Sequence, residues 1–164
     1  MGVLETLDAI ARARGYVARA DDRRLFDHDG GTVLVLMEDK LTLSVTRACA
    51  AHVELTGAAR LIVVLAASPT SAARATLVEL AKRPVEFFTS AELTFDIMRH
   101  ELVPRYELLA PDEIAALLAR YRIKQAQLPR MHATDPCARY LGLARGQVVR
   151  VIREHASVGY RIVA

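Results

Sequence analysis

The sequence predicts two small domains, an α/β domain over residues 1–98 and an α+β domain with a mixed sheet over residues 99–164. The first observation is a strand–helix–strand pattern between residues 61 and 88. The second is a change in the length of the predicted elements, because only short strands and helices follow one another after residue 104. The third is charge. Residues 1–98 carry 11 Lys and Arg against 13 Asp and Glu, whereas residues 99–164 carry 11 against 6, so net charges of −2 and +5 make up the total of +3.

The first domain is expected to begin with an amphipathic helix. Val3, Leu7 and Ile10 recur at helical spacing, and Gly15 is suited to the position that follows a helix. Apolar residues 33–37, bounded by turn residues, then predict a short buried strand.

The next segment alternates between apolar and polar residues. Alternation over residues 41–45 predicts a half-buried strand, with residues 38–40 as a polar hairpin turn before it. Thr46 is a candidate cap for a helix that continues to about Leu55 and ends at Gly57.

A βαβ crossover is the clearest element of the first domain. Residues 61–66 are apolar without interruption, as a central parallel strand requires. Residues 68–71, SPTS, supply hydroxyl caps and a proline suited to the first turn of a helix. Pro84 ends that helix, and residues 85–88 return as a strand. The crossover is predicted to be right-handed.

The second domain is predicted to start with an extended piece, residues 105–109, before a helix that opens at Pro111. Asp112 and Glu113 favour this start, because acidic groups stabilise the positive end of the helix dipole. Residues 128–131 are expected to be extended, since a residue before proline avoids the helical region.

The last segment predicts a very short helix and two strands. Asp135 can cap this helix, Pro136 fits its first turn and Gly142 can close it. So short a helix is stable only when packed on a sheet. Residues 148–152 are apolar on both faces, which indicates an interior strand, and residues 160–163 are expected to pair back to it.

The composition excludes several classes of protein. Apolar residues make up 52% and charged residues 25% of the chain, which is typical of a globular rather than a disordered protein. The longest apolar run, residues 61–67, is too short to span a bilayer, and the amino terminus does not resemble a secretory signal, so an intracellular location is expected. Cys49 and Cys137 are far apart in sequence and are expected to be reduced and buried, without a zinc site.

One weak pattern favours catalysis. Glu38-Asp39-Lys40 has the E-x-K form of metal-dependent nucleases, and Asp29 could supply a second carboxylate for Mg²⁺. The competing interpretation is the hairpin turn described above. The serine, cysteine and histidine residues have no nucleophile motif around them. We therefore expect no catalytic residues, no resident metal and no cofactor.

The arginines of the second domain are candidate binding residues. They can meet nucleic-acid phosphates, the carboxylates of a partner protein, or only water, and the sequence alone leaves these alternatives open. Interleaved aromatic residues are lacking, which disfavours a surface that stacks single-stranded bases. The candidates are Arg130, Arg139, Arg145, Arg150 and Arg153.

The segment from residue 100 to the carboxyl end resembles a known family. HELVP, EIAALLARYRI, QLPRM, TDPCARYLGLARGQVVRVIR and YRIV follow in the order and spacing of the assembly domain of the subunit common to the eukaryotic nuclear RNA polymerases. The corresponding small subunit of archaeal RNA polymerases consists of that domain alone. The first half is similar, more loosely, to the jaw domain of the same eukaryotic subunit, an α/β fold related to nucleases, through RGY, ARLIVVL and SPTSAAR. The jaw here is abbreviated, and a divergent or large-DNA-virus source is plausible.

The resemblance implies a non-catalytic polymerase subunit. Its assembly domain would dock on the largest subunit, and its jaw would lie near downstream DNA, in the nucleus of a eukaryotic cell, or in a virion or host cell for a viral enzyme. A metal-dependent nuclease and a free-standing nucleic-acid-binding module are the alternatives. The positions implied to be near DNA are Ser68, Thr70 and Ser71. The positions implied for the subunit interface are Arg130, Asp135, Pro136, Arg139, Tyr140, Arg145, Gly146, Arg150 and Arg153.

Overall fold

The computed structural model contains two compact units, Met1–Phe95 and Asp96–Ala164. The boundary between these units lies close to the one predicted at residue 98. The residues that the structure describes are 2–22, 24–28, 31–153 and 157–164. Within them, no helix is long and apolar enough to cross a membrane.

The first unit is a sheet with helices on both faces. Its helices are α1 (Val3–Ala13), α2 (Leu43–Thr56) and α3 (Ser71–Ala81). Its strands are β1 (Val17–Ala18), β2 (Leu25–His28), β3 (Gly31–Glu38), β4 (Arg60–Leu65) and β5 (Val85–Thr89).

The strand order of this sheet follows the sequence, from β1 to β5. The β1–β2 and β2–β3 pairs are antiparallel, whereas β3–β4 and β4–β5 are parallel, with Leu36 opposite Val63 and Val63 opposite Phe87. The two parallel pairs require crossovers, and α2 and α3 supply them. The predicted central strand at residues 61–66 is therefore confirmed as β4.

The two faces of the sheet are covered by different helices. One core cluster joins Leu61, Val63 and Leu65 of β4 to Val53 of α2 and Leu77 of α3. A second set of side chains lines a small apolar cavity on the opposite face, between α1 and the sheet. This set includes Leu7, Ile10, Tyr16, Phe26, Val35, Ile62 and Phe88. The alternation of β4 side chains between these sets follows from the two-residue period of a strand.

The prediction of a strand over residues 41–45 is wrong. Thr42, not Thr46, caps α2: its hydroxyl accepts a hydrogen bond from the Val45 N–H at 3.3 Å. Thr46 lies inside the helix, buried, and its hydroxyl donates to the Thr42 carbonyl. Residues 38–40 therefore form the end of β3 and the start of the connection to a helix, and they are not a hairpin turn. The alternation over five residues misled because Leu41, just before the helix, and Val45, in its first turn, pack against the same core cluster, and their spacing of four residues fits a helix as well as a strand.

Strand β2 is an element that the sequence analysis missed. Its outer half, Asp27 and His28, is exposed, and polar residues precede it, so the segment resembles a loop. Leu25 and Phe26 are nevertheless buried, one on each face of the sheet, because β2 pairs along β3. Gly31 at the start of β3 has φ +116°, and a Cβ there would lie 2.9 Å from the Ala59 Cβ, so only glycine fits.

The second unit is a four-stranded mixed sheet in the order β6-β8-β9-β7. Its strands are β6 (Arg105–Leu108), β7 (Arg130–Met131), β8 (Val148–Ile152) and β9 (Val158–Val163), and its helices are α4 (Pro111–Tyr121) and α5 (Pro136–Leu141), with 3₁₀ turns at Ile97–Arg99 and Gln125–Gln127. β8 pairs antiparallel with both neighbours, and β7 pairs parallel with β9.

Each helix of the second unit packs on its own face of the sheet. Val148 contributes to the cluster beneath α4, which contains Leu117, whereas Val149 and Val151 contribute to the cluster beneath α5, which contains Ala138. The α/β content and the mixed sheets predicted from the sequence are thus confirmed. The nuclease-like description of the first unit and the assignment of the units as jaw and assembly domain stay predictions.

Candidate functional site

The residues predicted for a subunit interface differ widely in exposure. Tyr140 is only 5% exposed and belongs to the interior of the second unit. Asp135, Arg139 and Arg150 are partly buried. The exposed members of the set are Arg130, Pro136, Arg145, Gly146 and Arg153.

The exposed arginines lie at two ends of the second sheet. Gly146 N–H donates to the Val163 carbonyl at 2.8 Å, and this places Arg145 beside the end of β9. Arg130 lies opposite Ile162 on the neighbouring strand, so it is close to the same end. Arg153 follows the last residue of β8, which runs about 16 Å from the opposite end. The structure therefore brings Arg130 and Arg145 near one another and separates Arg153 from both.

Arg161 joins this end of the sheet, although the sequence analysis did not select it. Its Nη1 donates to the Arg130 carbonyl at 3.3 Å across the β7–β9 pair. We call Arg130, Arg145 and Arg161 the basic end of the sheet. Arg161 could have been selected from the sequence because it lies in the strand predicted at residues 160–163, and the extended segment predicted at residues 128–131 already contained the candidate Arg130.

Arg150 is held by groups of its own unit. Its guanidinium is 3.2 Å from the Glu107 carboxylate and 3.2 Å from the Glu113 carboxylate. A hydrogen bond with Tyr160 and the two carboxylates raise the pKa of Arg150 above its ordinary value, although desolvation opposes them. Glu107 and Tyr160 are the cross-strand partners of Arg150 on β6 and β9. The network thus ties three strands to α4, and it accounts for this arginine without an external ligand.

Asp135 and Pro136 have a local role as well. The Asp135 carboxylate accepts a hydrogen bond from the Cys137 N–H at 2.8 Å, and Pro136 occupies the first position of α5. Gly142 ends the helix with φ 65°. Burial raises the pKa of the neighbouring Tyr106 phenol to about 12, with a further contribution from Cys137. The predicted cap, proline and closing glycine are therefore all confirmed.

The residues predicted to lie near DNA follow the carboxyl end of β4. Ser68, Thr70 and Ser71 are all exposed. Thr70 is the cap of α3, and its hydroxyl accepts a hydrogen bond from the Ala73 N–H at 3.2 Å. Ser71 is the first residue of the helix. The carboxyl edge of a parallel sheet is where open α/β folds usually bind ligands.

The residues of the nuclease alternative fall in the β3–α2 connection. Glu38 is the last residue of β3, and Asp39 and Lys40 follow it before α2. Asp29 lies outside the described residues. Among the residues that the structure does describe, no three His, Cys, Asp or Glu side chains come together in a way that could hold a metal ion.

Arg14 is a second residue that the sequence analysis did not select, although it begins the RGY motif. Its side chain is only 2% exposed and meets the Glu86 carboxylate through Nη1 at 3.0 Å and Nη2 at 2.7 Å. Arg60 binds the same carboxylate at 3.0 Å. Burial opposes the charge of Arg14, but the hydrogen bond and charge of Glu86 outweigh it, so its pKa is raised. The rings of Tyr16 and Phe88 lie 5.8 and 6.0 Å from the guanidinium.

Comparison with known protein families assigns the second unit. Residues 95–163 match the family model described as RNA polymerase Rpb5, C-terminal domain. The C-terminal unit belongs to the Rpb5 C-terminal domain family. This confirms the resemblance found in the sequence, and the matched range includes nearly all of the unit Asp96–Ala164.

Three curated proteins similar to this chain carry the same name. The DNA-directed RNA polymerases I, II, and III subunit RPABC1 of Caenorhabditis briggsae is 38% identical over 131 residues, which cover 77% of this chain and 62% of the relative. The C. elegans protein of that name is 39% identical over 129 residues, covering 76% and 61%. The Dictyostelium discoideum protein is 42% identical over 103 residues, covering 61% and 52%. The chain thus spans less than two thirds of the length of these curated relatives.

Proposed function

We propose that the chain is a non-catalytic structural subunit of a multisubunit DNA-directed RNA polymerase. The observation that carries the proposal is the family match over residues 95–163, which is nearly the entire second unit. The similarity to proteins named RPABC1 extends further, because 131 matched residues exceed the length of that unit. The chemistry of transcription would belong to other subunits, and the chain would work inside the cell, in the nucleus if the cell is eukaryotic.

The partner in this proposal is the largest polymerase subunit, and the second unit is the docking domain. Exposed arginines with planar guanidinium groups suit bidentate contacts with the carboxylates of a partner. The basic end contains two exposed arginines of the predicted interface, Arg130 and Arg145, together with the partly buried Arg161. Arg139 and Arg153 would add contacts elsewhere on the unit. The remaining predicted residues would stabilise the fold that presents this surface, and they are Asp135, Pro136, Tyr140 and Arg150.

The first unit would form part of the polymerase jaw near downstream DNA. Ser68, Thr70 and Ser71 support this role, because exposed hydroxyls at the start of a helix can approach a phosphate. Thr70 already uses its hydroxyl to cap α3. We therefore propose that Ser68 and Ser71 are the residues available for such a contact.

The test is recovery of a tagged chain from cells of its source, followed by mass spectrometry of the proteins that accompany it. The chain should be recovered with the largest polymerase subunits. A variant with Arg130→Glu and Arg145→Glu should lose most of that recovery. The control, Arg47→Glu with Arg83→Glu, makes the same charge change at exposed positions of the first unit and should retain it.

Two outcomes would contradict the proposal. Recovery of the chain free of polymerase would exclude the subunit function. Equal recovery of both arginine variants, each with unchanged circular dichroism, would exclude the basic end as the docking surface.

A further inference from the structure

Strand β6 is at the edge of the second sheet and pairs only with β8 among the described residues. The N–H of Leu109, the next residue, donates to the Val148 carbonyl of the β8 side at 3.0 Å. In an antiparallel pair, successive residues alternate between facing the partner strand and facing away from it. Because Leu109 faces β8, Glu107 does too. The N–H and C=O groups of Tyr106 and Leu108 therefore point away from the sheet.

This outward row has defined ends. Pro104, before the strand, has no N–H group. After the strand, the N–H of Ala110 donates to the Glu113 carboxylate at 2.9 Å and is not free. Between these ends, Tyr106 and Leu108 present two N–H and two C=O groups with the spacing of a β-ladder. Such a row is a template for another extended chain.

The side chains around the row are apolar on one face. Tyr106 packs against the cluster beneath α5, and Leu108 shares its face of the strand. Leu108 is 54% exposed, and Leu102, just before the strand, is 80% exposed. Leu108 is thus an exposed apolar side chain on the open strand itself, and on this face no charged side chain among the described residues of β6 blocks the approach of another strand.

The other face of the strand carries charge. The Arg105 side chain is 77% exposed and lies 3.0 Å from the Glu107 carboxylate. Glu107 also holds Arg150, so its own charge is compensated within the unit. An added strand would therefore meet an accessible cation on this face and leucine on the opposite face.

The opposite edge of the sheet is less receptive. Strand β7 has two residues, and the outward carbonyl of Arg130 already accepts a hydrogen bond from Arg161. Strand β6 has four residues, and it presents the longer outward row, with the carbonyls of both Tyr106 and Leu108. The difference singles out β6.

We propose that β6 accepts an extended segment of a partner protein as an added strand of the second sheet. The segment has alternating character: apolar side chains lie against Tyr106 and Leu108, and an acidic side chain lies opposite Arg105. Main-chain hydrogen bonds to Tyr106 and Leu108 supply the affinity, and the alternating side chains supply the selectivity. The inference goes beyond the proposed function, because it specifies how a partner binds and does not depend on which protein provides the segment.

The test uses the full chain and a synthetic peptide as the probe. The peptide has nine residues, with valine at the even positions, glutamate at the centre and threonine elsewhere. In an antiparallel pair, a valine whose N–H and C=O groups bond to Tyr106 or Leu108 lies directly opposite that residue, on the same face of the sheet. N-methylation of the threonines and the glutamate therefore blocks the other edge of the peptide, which limits self-association, and leaves the valine edge able to pair. Titration should shift the amide NMR signals of Tyr106 and Leu108 and slow their hydrogen exchange about tenfold or more. A control peptide that is also N-methylated at the valines cannot pair, and it should have no effect.

Two variants separate main-chain pairing from side-chain contact. Leu108→Pro removes an outward N–H and leaves the inward bonds to β8, which an edge strand tolerates, so the chain should fold and lose the response. Leu108→Ala keeps the N–H and should retain a weakened response. If the proline variant does not fold, Arg105→Glu serves instead: it should prefer a peptide with lysine at the centre.

The proposal is wrong if the control peptide acts like the probe, or if Tyr106 and Leu108 keep their shifts and exchange rates with the probe. An unchanged response in a folded Leu108→Pro variant would also overturn it, and so would an Arg105→Glu variant that still prefers glutamate to lysine at the centre of the peptide. None of these results bears on the polymerase assignment, because no polymerase is present in the experiment.

Discussion

Arg14 and Glu86 are 72 residues apart in the sequence and form a bidentate ion pair in which the arginine side chain is buried and the carboxylate is partly buried. Arg14 directly follows the last residue of α1, and Glu86 lies in the edge strand β5. The pair therefore fixes the end of the first helix to the last strand of the sheet. A lysine could not reproduce it, since a single ammonium cannot donate to both carboxylate oxygens in parallel.

Replacing Glu86 with glutamine should destabilise the first unit strongly. The neutral amide leaves the buried guanidinium of Arg14 without its counter-charge, and loss of one partner of a buried pair costs about 3–5 kcal/mol. Arg60→Gln is the matched control, because Arg60 binds the same carboxylate from a more exposed position and should cost about 1 kcal/mol or less. Unfolding by guanidinium chloride measures the loss of stability in each variant. Equal losses of unfolding free energy in the two variants would show that the Arg14–Glu86 pair stabilises the unit no more than the Arg60–Glu86 pair does.

Replacing Thr70 with alanine should reduce stability without any DNA present. The hydroxyl caps the Ala73 N–H, and loss of such a cap costs about 1 kcal/mol. Ser71→Ala should change stability by less than about 0.5 kcal/mol, because Ser71 is an exposed residue that does not cap the helix. Thermal unfolding of both variants checks the prediction. A larger loss in Ser71→Ala than in Thr70→Ala would contradict the cap assignment.

Cys49 should make the free energy of unfolding fall at alkaline pH. Burial, with a contribution from the Glu38 carboxylate, raises the pKa of its thiol from 9.0 to about 11. The unfolded chain therefore releases this proton at a lower pH than the folded chain does. The contribution to stability is complete below pH 9 and is lost as the pH rises through 11.

Denaturant titrations of the parent and of Cys49→Ala between about pH 8 and pH 11 measure this effect. The alanine variant should be less stable at the lower pH because a buried group is removed, but its stability should fall less steeply with pH. Ser68→Ala, at an exposed position, should keep the parental slope. Parallel pH profiles for the parent and Cys49→Ala would show that the thiol titrates alike in both states.

Local chemistry determines the elements that could be predicted from the sequence. The uninterrupted apolar run at residues 61–66 has one stable position, the centre of a parallel sheet, and it occupies that position as β4. Asp135, Pro136 and Gly142 each carry a backbone preference that needs no distant partner, and all three act as predicted. The family resemblance of the second half rested on such residues, together with the spacing between them.

Tertiary contacts decided the features that could not be predicted. The segment from Leu41 to Val45 fits a strand or a helix, and the parallel pairing of β3 with β4 requires the helix. Glu86 and Arg14 give no sign in the sequence that they meet. The charge of Arg150 likewise suggested a free binding residue, because its carboxylate partners on β6 and α4 come from a distant part of the chain.

The six-residue helix α5 has a consequence for how the protein is made. Its buried residues Cys137 and Ala138 rest on Val149 and Val151, which the ribosome adds later. Strand β6 likewise cannot pair until β8 has been synthesised, because Arg150, the partner of Glu107, is 43 residues further along the chain. The second unit should therefore remain unstructured while it is being translated and fold in one step after β8 and β9 have left the exit tunnel. Nascent chains that stall before Val148 should expose this whole segment to chaperones and proteases.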